Sequence, residues 1–336
     1  MRTVVTGAAG HVGANLVRGL IGRGDSVRAL IHVDLRGQAG LDVELVYGDV
    51  CDVDSLCKAF EGADVVYHLA GHIAVSCRRQ PQIDAINVEG TRNVVRACRE
   101  CNVRRLVHCS SIHASVSPFD GSAVDENTPL AHGDEHPPYD RSKARGEMII
   151  LDAIEGGLDA VILAPTAVVG PHDYRPSYFG RVLLSLARRE IPVLVRGGYD
   201  WVDVRDVIDA SLRAAEDAPA GSEYMVSGHW YSVMDVARTA GDILGCRTPR
   251  LAVPLQFARA CGPLAESICL ITGHTPVFTR YSVEALASHR LVSHEKATRE
   301  LGYRPRPFCQ TLRDTFLWFK QQGLLPDNVT CGADAT

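Results

Sequence analysis

The run Thr3-Val4-Val5-Thr6 passes directly into Gly7-Ala8-Ala9-Gly10-His11-Val12-Gly13, after which Val12, Leu16, Val17 and Leu20 recur at helical spacing. No other feature constrains the fold as tightly. A β-branched run reads as a buried strand, and apolar residues four apart read as one helix face. Glycines at the junction permit a tight turn, close approach of backbone to a ligand, and free N–H groups at a helix start. Those are the requirements of a pyrophosphate. The opening unit therefore predicts dinucleotide binding through Gly7, Ala9, Gly10, His11, Val12 and Gly13, although the spacing is G-x-x-G-x-x-G, not the commoner G-x-G-x-x-G.

The same rhythm continues for 170 residues. Strands are expected over 27–31, 43–47, 64–69, 105–110 and 159–163, with helical stretches over 88–101 and 139–153. Strand–helix alternation predicts a doubly wound parallel sheet covered on both faces, an α/β fold. Beyond Gly170-Pro171 the pattern loosens into helices over 181–189 and 204–215 and a short strand over 193–195. We expect a dinucleotide-binding domain over 1–171 and a smaller C-terminal substrate-binding lobe over 172–325, some of whose segments return to the first domain. A flexible tail over 326–336 follows. The apolar segment from Leu251 to Gly273, broken by Pro254, Gly262 and Pro263, reads as a helical cover over an apolar pocket or core.

Composition narrows the class. The chain has 336 residues, 46% of them hydrophobic, enough for a sizeable core. Its net charge of -5, without a basic block, argues against a nucleic-acid partner. No apolar run reaches the ~18 residues of a transmembrane helix, and the glycine turn begins too early for a signal peptide, so a cytoplasmic protein is expected. The eleven cysteines are scattered; only Cys98 and Cys101 form a Cys-x-x-Cys pair, which predicts small apolar residues in a reducing compartment. His132 and His136 are four apart but adjoin Pro137, so they read as loop residues, and no metal site is expected.

Two constellations carry chemistry. Tyr139 and Lys143, four residues apart after Pro137-Pro138, share one face of a helix. A phenol titrates near ~10, and a neighbouring ammonium favours the phenolate. Ser110 and Ser111 close the strand over 105–110, where ligands of such sheets bind and a hydroxyl can hold a substrate oxygen; a structural Ser-Ser turn is the competing reading. His113 and His172 lie nearby as loop residues or substrate contacts. For the cofactor, a carboxylate about 20 residues beyond the glycines would bind the ribose diol of NAD. Ile31 fills that position and Asp34 lies past the strand, whereas His32 and Arg36 could receive a 2′-phosphate. The balance favours NADP over NAD.

Taken together, Thr6 to Gly13, His68-Leu69-Ala70, Asn87-Val88-Glu89-Gly90-Thr91, Cys109-Ser110-Ser111, Tyr139-x-x-x-Lys143, Pro165 to Pro171, Trp201 to Val207 and Leu301-Gly302-Tyr303-Arg304-Pro305 resemble the extended short-chain dehydrogenase/reductase superfamily, the NAD-dependent epimerase/dehydratase family. The likeness spans residues 2–320. It implies a Rossmann-type fold with Tyr139 as proton donor or acceptor, Lys143 holding the nicotinamide ribose and lowering the Tyr139 pKa, and Ser111 orienting the substrate oxygen. It also implies that Asp49 and Val50 contact adenine, that Leu69, Ala70 and Gly71 line the cofactor, and that Pro165, Thr166, Ala167 and Val168 present backbone to the carboxamide. Sugar-nucleotide enzymes of the family carry Asn where this chain has Ala167. The Pro-Thr-x-Val-Val-Gly-Pro form looks instead like the dihydroflavonol-4-reductase and 3β-hydroxysteroid dehydrogenase branch.

The implied activity is an NAD(P)-dependent interconversion of a secondary alcohol and a ketone, or of an aldehyde and an alcohol, on a small-molecule substrate, for which the apolar residues around Phe257 to Ile271 would suit an apolar compound. The alternative is a sugar epimerase or dehydratase using the same residues for a transient oxidation, and a third reading is a non-catalytic dinucleotide sensor. A homodimer packing the helices over 88–101 and 139–153 is the assembly that the resemblance implies.

Overall fold

A computed structural model of the chain describes residues 1–73, 80–118, 120–260 and 280–326. Most of the apolar segment ending at Gly273, the tail beyond Pro326, and Cys77, Cys261, Cys269 and Cys331 lie outside the described residues. In chain order the first half comprises β1 (Arg2–Thr6), α1 (His11–Gly22), β2 (Ser26–Ile31), β3 (Glu44–Tyr47), α2 (Val53–Phe60), β4 (Val65–His68), α3 (Gln80–Asp84), a π-helical turn (Ala85–Glu89), α4 (Gly90–Glu100), β5 (Arg105–Cys109), α5 (Pro138–Glu155) and β6 (Ala160–Pro165). The second half adds β7 (Ala167–Val169), α6 (Tyr178–Ala187), β8 (Leu194–Val195), β9 (Gly198–Asp203), α7 (Val204–Asp217), β10 (Glu223–Val226), β11 (His229–Ser232), α8 (Val233–Leu244), β12 (Ala252–Val253), α9 (Arg280–Ala285), α10 (Glu295–Leu301) and α11 (Phe308–Gln321).

Seven strands form one sheet in the order β10-β6-β5-β4-β1-β2-β3, every neighbouring pair parallel. Every residue of β4 and β6 is buried, as expected where helices cover both faces and a strand can be apolar without alternation. One face packs α1 and α7 through Leu16, Val17, Leu20, Val207 and Ile208; the other packs α2, α4 and α5 through Leu56, Phe60, Val94, Cys98 and Ile150. Because β1 sits between β2 and β4, connections leave it in opposite directions, and a crevice opens at the carboxyl ends of β1 and β4.

Two late segments belong to this first layer. α7 covers α1, and β10 extends the sheet beyond β6. The buried Arg105 side chain pairs with Asp159 and donates to the carbonyls of Ala214, Ala215 and Ala218, satisfying acceptors that the end of α7 leaves open. The remaining elements build a second core. The sheet β11-β9-β7 and the pair β12-β8 lie among α6, α8 and α11, around Leu184, Trp201, Phe308, Phe316 and Phe319.

Expected and observed boundaries differ by local chemistry. The helix expected over 88–101 begins as a π-turn at Ala85, where the Asn87 side chain turns inward. The helix expected from 181 starts at Tyr178 because the Ser177 hydroxyl accepts from the Gly180 N–H and caps it. Among the described residues no helix is long and apolar enough to cross a membrane.

Candidate active site

The glycine turn is built by close backbone contact. Gly7 has φ +68, and a Cβ there would lie 2.6 Å from the Ala70 nitrogen. A Cβ at Gly13 would lie 2.2 Å from the Gly7 oxygen. Gly10 is the N-cap of α1, with no side-chain cap and no acidic residue in the first turn. The helix end is thus left with backbone N–H groups and the positive end of its dipole, which fits a diphosphate. Around it, Gln38 donates to the Ala8 carbonyl (2.6 Å), and both His11 and Asn15 reach the Pro171 carbonyl (3.0 Å each), fastening α1 to the segment after β7.

At the far end of β2, Ile31 is fully buried. The His32 imidazole is exposed and 3.8 Å from the Asp49 carboxylate. Asp34 is not idle. Arg36 clasps it through Nε (3.0 Å) and Nη2 (2.6 Å), and these hydrogen bonds hold its pKa down at about 2. Val50 packs on Gly90, where a Cβ would come within 2.8 Å of its Cγ2.

Pro138 occupies the first turn of α5, a position that tolerates its missing N–H, and sets Tyr139 and Lys143 beside the end of β5. The two serines divide their work. Ser110 hydrogen-bonds to the buried Glu147 carboxylate, whereas Ser111 bonds the Tyr139 side chain and accepts from the His113 N–H (3.3 Å). Burial drives the Tyr139 phenol above its ordinary value, and the Ser111 hydrogen bond offsets part of that rise. The expected depression of this phenol by Lys143 is not what the chain's own groups produce. The Lys143 ammonium turns to the Cys109 carbonyl (2.9 Å), and burial lowers its own pKa.

The Asn87–Thr91 stretch supports this arrangement from behind. Asn87 donates to the Ser142 hydroxyl (2.9 Å), and its Oδ1 accepts from the His72 N–H (2.7 Å). The His68 ring bridges Thr6 (2.9 Å) and Thr91 (3.1 Å), and burial lowers its pKa to about 3, so it is neutral. A serine between the tyrosine and lysine is thereby tied to the crevice at β1 and β4.

These parts face one cavity of about 880 Å³. Of the residues singled out from sequence, Gly7, Gly10, His11, Val12, Gly13, Leu69, Gly71, Ser111, Tyr139, Lys143, Pro165, Thr166, Ala167 and Val168 line it. Ala9, Ala70, His32, Arg36, Asp49 and Val50 lie outside that wall, the last four at the ends of β2 and β3. His172 is also absent from the wall; it faces Tyr174 and Trp318. The rest of the wall was not legible beforehand, apart from His113. It takes His136, Asp140, Tyr178, Phe179, Tyr199, Asp200 and His289 from separate stretches of chain, with no shared motif to announce them.

Residues 3–227 match the NAD dependent epimerase/dehydratase family. The sterol demethylase protein B of Methylococcus capsulatus is 34% identical over 97% of this chain and 100% of its own length. A putative dihydroflavonol 4-reductase of Synechocystis is 30% identical over 95% and 94%. Among solved structures, that of gox2253 superposes with a TM-score of 0.85 at 32% identity, over 96% of this chain and 99% of its own. With a glycine turn fitted to a diphosphate, and a family match that spans both it and the Tyr139–Lys143 turn, the chain belongs to the NAD dependent epimerase/dehydratase family of extended short-chain dehydrogenases/reductases and is an NAD(P)-dependent enzyme of that family.

Proposed function

We propose that this enzyme interconverts a secondary alcohol and a ketone on an apolar small molecule, with Tyr139, Ser111 and Lys143 as its working residues. The observation that carries the reading is the phenol itself. Tyr139 lines the cavity half-buried and hydrogen-bonded to Ser111, and desolvation holds its pKa above the ordinary value, so the phenol keeps its proton at neutral pH. A phenol in that state is disposed to donate to a carbonyl oxygen, which is the reduction direction. Ser111 would hold the same oxygen by a second hydrogen bond, and Lys143 would hold the ribose of the dinucleotide. When bound, the dinucleotide supplies or accepts the hydride at the carbinol carbon.

The substrate end supports an apolar compound. Phe179, Tyr178 and Tyr199 form part of the wall, and Ala167 stands where sugar-nucleotide enzymes use Asn. The names of the dihydroflavonol reductase and sterol demethylase relatives point the same way. For the dinucleotide we favour NADP: Ile31 closes β2 where a ribose-binding carboxylate would stand, Asp34 is occupied by Arg36, and the Arg36 and His32 side chains are exposed beside that end. The test is turnover of steroidal and flavonoid ketones with NADPH and NADH. Stoichiometric consumption of NADPH supports the reading. Purified protein that retains NAD through a redox-neutral isomerisation of a sugar nucleotide would overturn it.

A further inference from the structure

The loop after β2 is held against a segment of the second layer, and that segment brings an arginine to it. Tyr174 and Arg175 lie between β7 and α6, two elements of the second core, and Tyr174 packs against that core. The Tyr174 hydroxyl accepts from Arg18 Nη2 (2.7 Å), and the Arg18 guanidinium stands over the Tyr174 ring, 5.0 Å from its centroid. Through Nη1 the same guanidinium donates to the Ala14 carbonyl (2.8 Å) on its own helix and to the Gly37 carbonyl (2.7 Å) in the loop after β2. One side chain of α1 therefore spans from the residue after Arg36 to the residue before Arg175.

The charges gathered there do not cancel. Arg36 spends Nε and Nη2 on the Asp34 carboxylate, which leaves its Nη1 and a pair that is neutral as a whole. Arg175 is exposed, lines the cavity, and among the described residues no hydrogen bond or ion pair engages its guanidinium. Its charge nevertheless reaches Asp34 and joins Arg36 in holding that carboxyl down. Asp34, Arg36 and Arg175 thus carry one positive charge in excess, and the Arg18 charge stands behind them. The excess belongs to a planar fork whose N–H donors match the oxygens of a phosphate. A phosphate monoester, with its charge near ~-2 at neutral pH, gains from such a neighbour, whereas the neutral diol of a ribose does not.

We propose that Arg175 is a specificity-determining residue: together with the Nη1 of Arg36 it binds the 2′-phosphate of NADP, so that the second layer takes part in choosing the dinucleotide. The inference rests on the NADP preference proposed above and adds the residue that enforces it. Nothing in the stretch around Arg175 marks it as a cofactor residue, because it lies about 140 residues from the end of β2 and meets that end only through the fold.

Titration calorimetry with two matched pairs of ligands tests this: NADPH against NADH, and adenosine 2′,5′-bisphosphate against adenosine 5′-monophosphate. The second pair lacks the diphosphate and the nicotinamide, and its members differ by the 2′-phosphate alone. The wild type is expected to bind the 2′-phosphorylated member of each pair at least ~10-fold tighter, with the ratio narrowing as salt is added. In Arg175→Ala both ratios are expected to fall by ~5-fold or more, while NADH and the monophosphate change by less than about twofold; Arg175→Lys, which keeps the charge without the fork, should retain part of each ratio. Ratios that survive in Arg175→Ala overturn the proposal and leave the NADP reading standing. Equal weakening of both members of a pair also overturns it, since that is what a contact to the diphosphate or a merely structural loss produces. A wild type that favours neither member of either pair defeats the NADP reading itself, and the role of Arg175 with it, before any variant is made.

Discussion

The two ends of the cavity are made in opposite ways. At the glycine turn the wall is backbone: Gly7 lies so close to Ala70, and Gly13 to Gly7, that a Cβ at either has nowhere to go. At the other end the wall is side chain: His113, Asp140, Phe179, Tyr199 and His289 arrive from five stretches of chain. The first design suits a ligand part that never changes, a diphosphate held by N–H groups. The second suits a part that differs from enzyme to enzyme, because side chains can be exchanged without disturbing the turn that holds the cofactor. Tyr139 is on α5, a helix that packs on the sheet, with the His113 ring edge-on to it.

Tyr139→Phe gives the largest expected effect. It leaves both ends intact, so dinucleotide affinity should hold while turnover falls by ~10²–10⁴, the usual worth of a positioned acid. Full turnover on an accepted ketone would remove Tyr139 from the chemistry. Phe308→Ala comes next. It empties a buried site between Trp201 and Tyr231 in the second core, at a cost of ~3–5 kcal/mol in denaturant titration. Dinucleotide affinity should change by less than about twofold; a parallel loss would break the comparison, because the two ends would then share one support.

Gly13→Ala inverts that pattern. The new methyl meets the Gly7 carbonyl, which is backbone and cannot swing aside, so a loss of ~1–3 kcal/mol in stability is expected. The effect on the dinucleotide should be disproportionate, at least tenfold by fluorescence titration, while the aromatic core of the lobe keeps its near-ultraviolet dichroism.

The smallest effect is a pH dependence. Burial, then the Glu147 and Glu126 carboxylates, hold Glu223 up at about 8 from its ordinary 4.5. The folded chain thus keeps a proton that the unfolded chain releases, and the stability linked to it is complete below 4.5 and is lost as pH rises through about 8. Glu223→Gln should melt about 1–2 °C above the wild type at pH 8.5 and level with it at pH 4. A gain at acid pH in its place would show that Glu223 is charged in the folded chain.

The sheet, the glycine turn, and the adjacency of Tyr139 and Lys143 were legible in the residues, because each rests on local backbone periodicity or on neighbours one helical turn apart. The elements after 215 were not. β10, α8 and α11 carry no motif; β10 is recognisable only by its pairing with β6, and α11 only by the aromatic residues that it buries. Asn87 could be seen as part of a motif but not as a brace for Ser142, since the two are 55 residues apart. Nor does the spacing that puts an amine near a phenol announce the Cys109 carbonyl that the Lys143 ammonium meets.

By itself the sequence determined that a strand turns through glycines into a helix and that a phenol and an amine share a later helix face. Both follow from steric limits on φ and ψ and from the pitch of the helix, which act over a few residues. The tertiary structure alone decided which serine meets the phenol, that Arg36 occupies Asp34, and that His113 is held by Asp140 against the Tyr139 ring. Those are outcomes of packing and burial, and each depends on groups that only the folded chain brings within bonding distance.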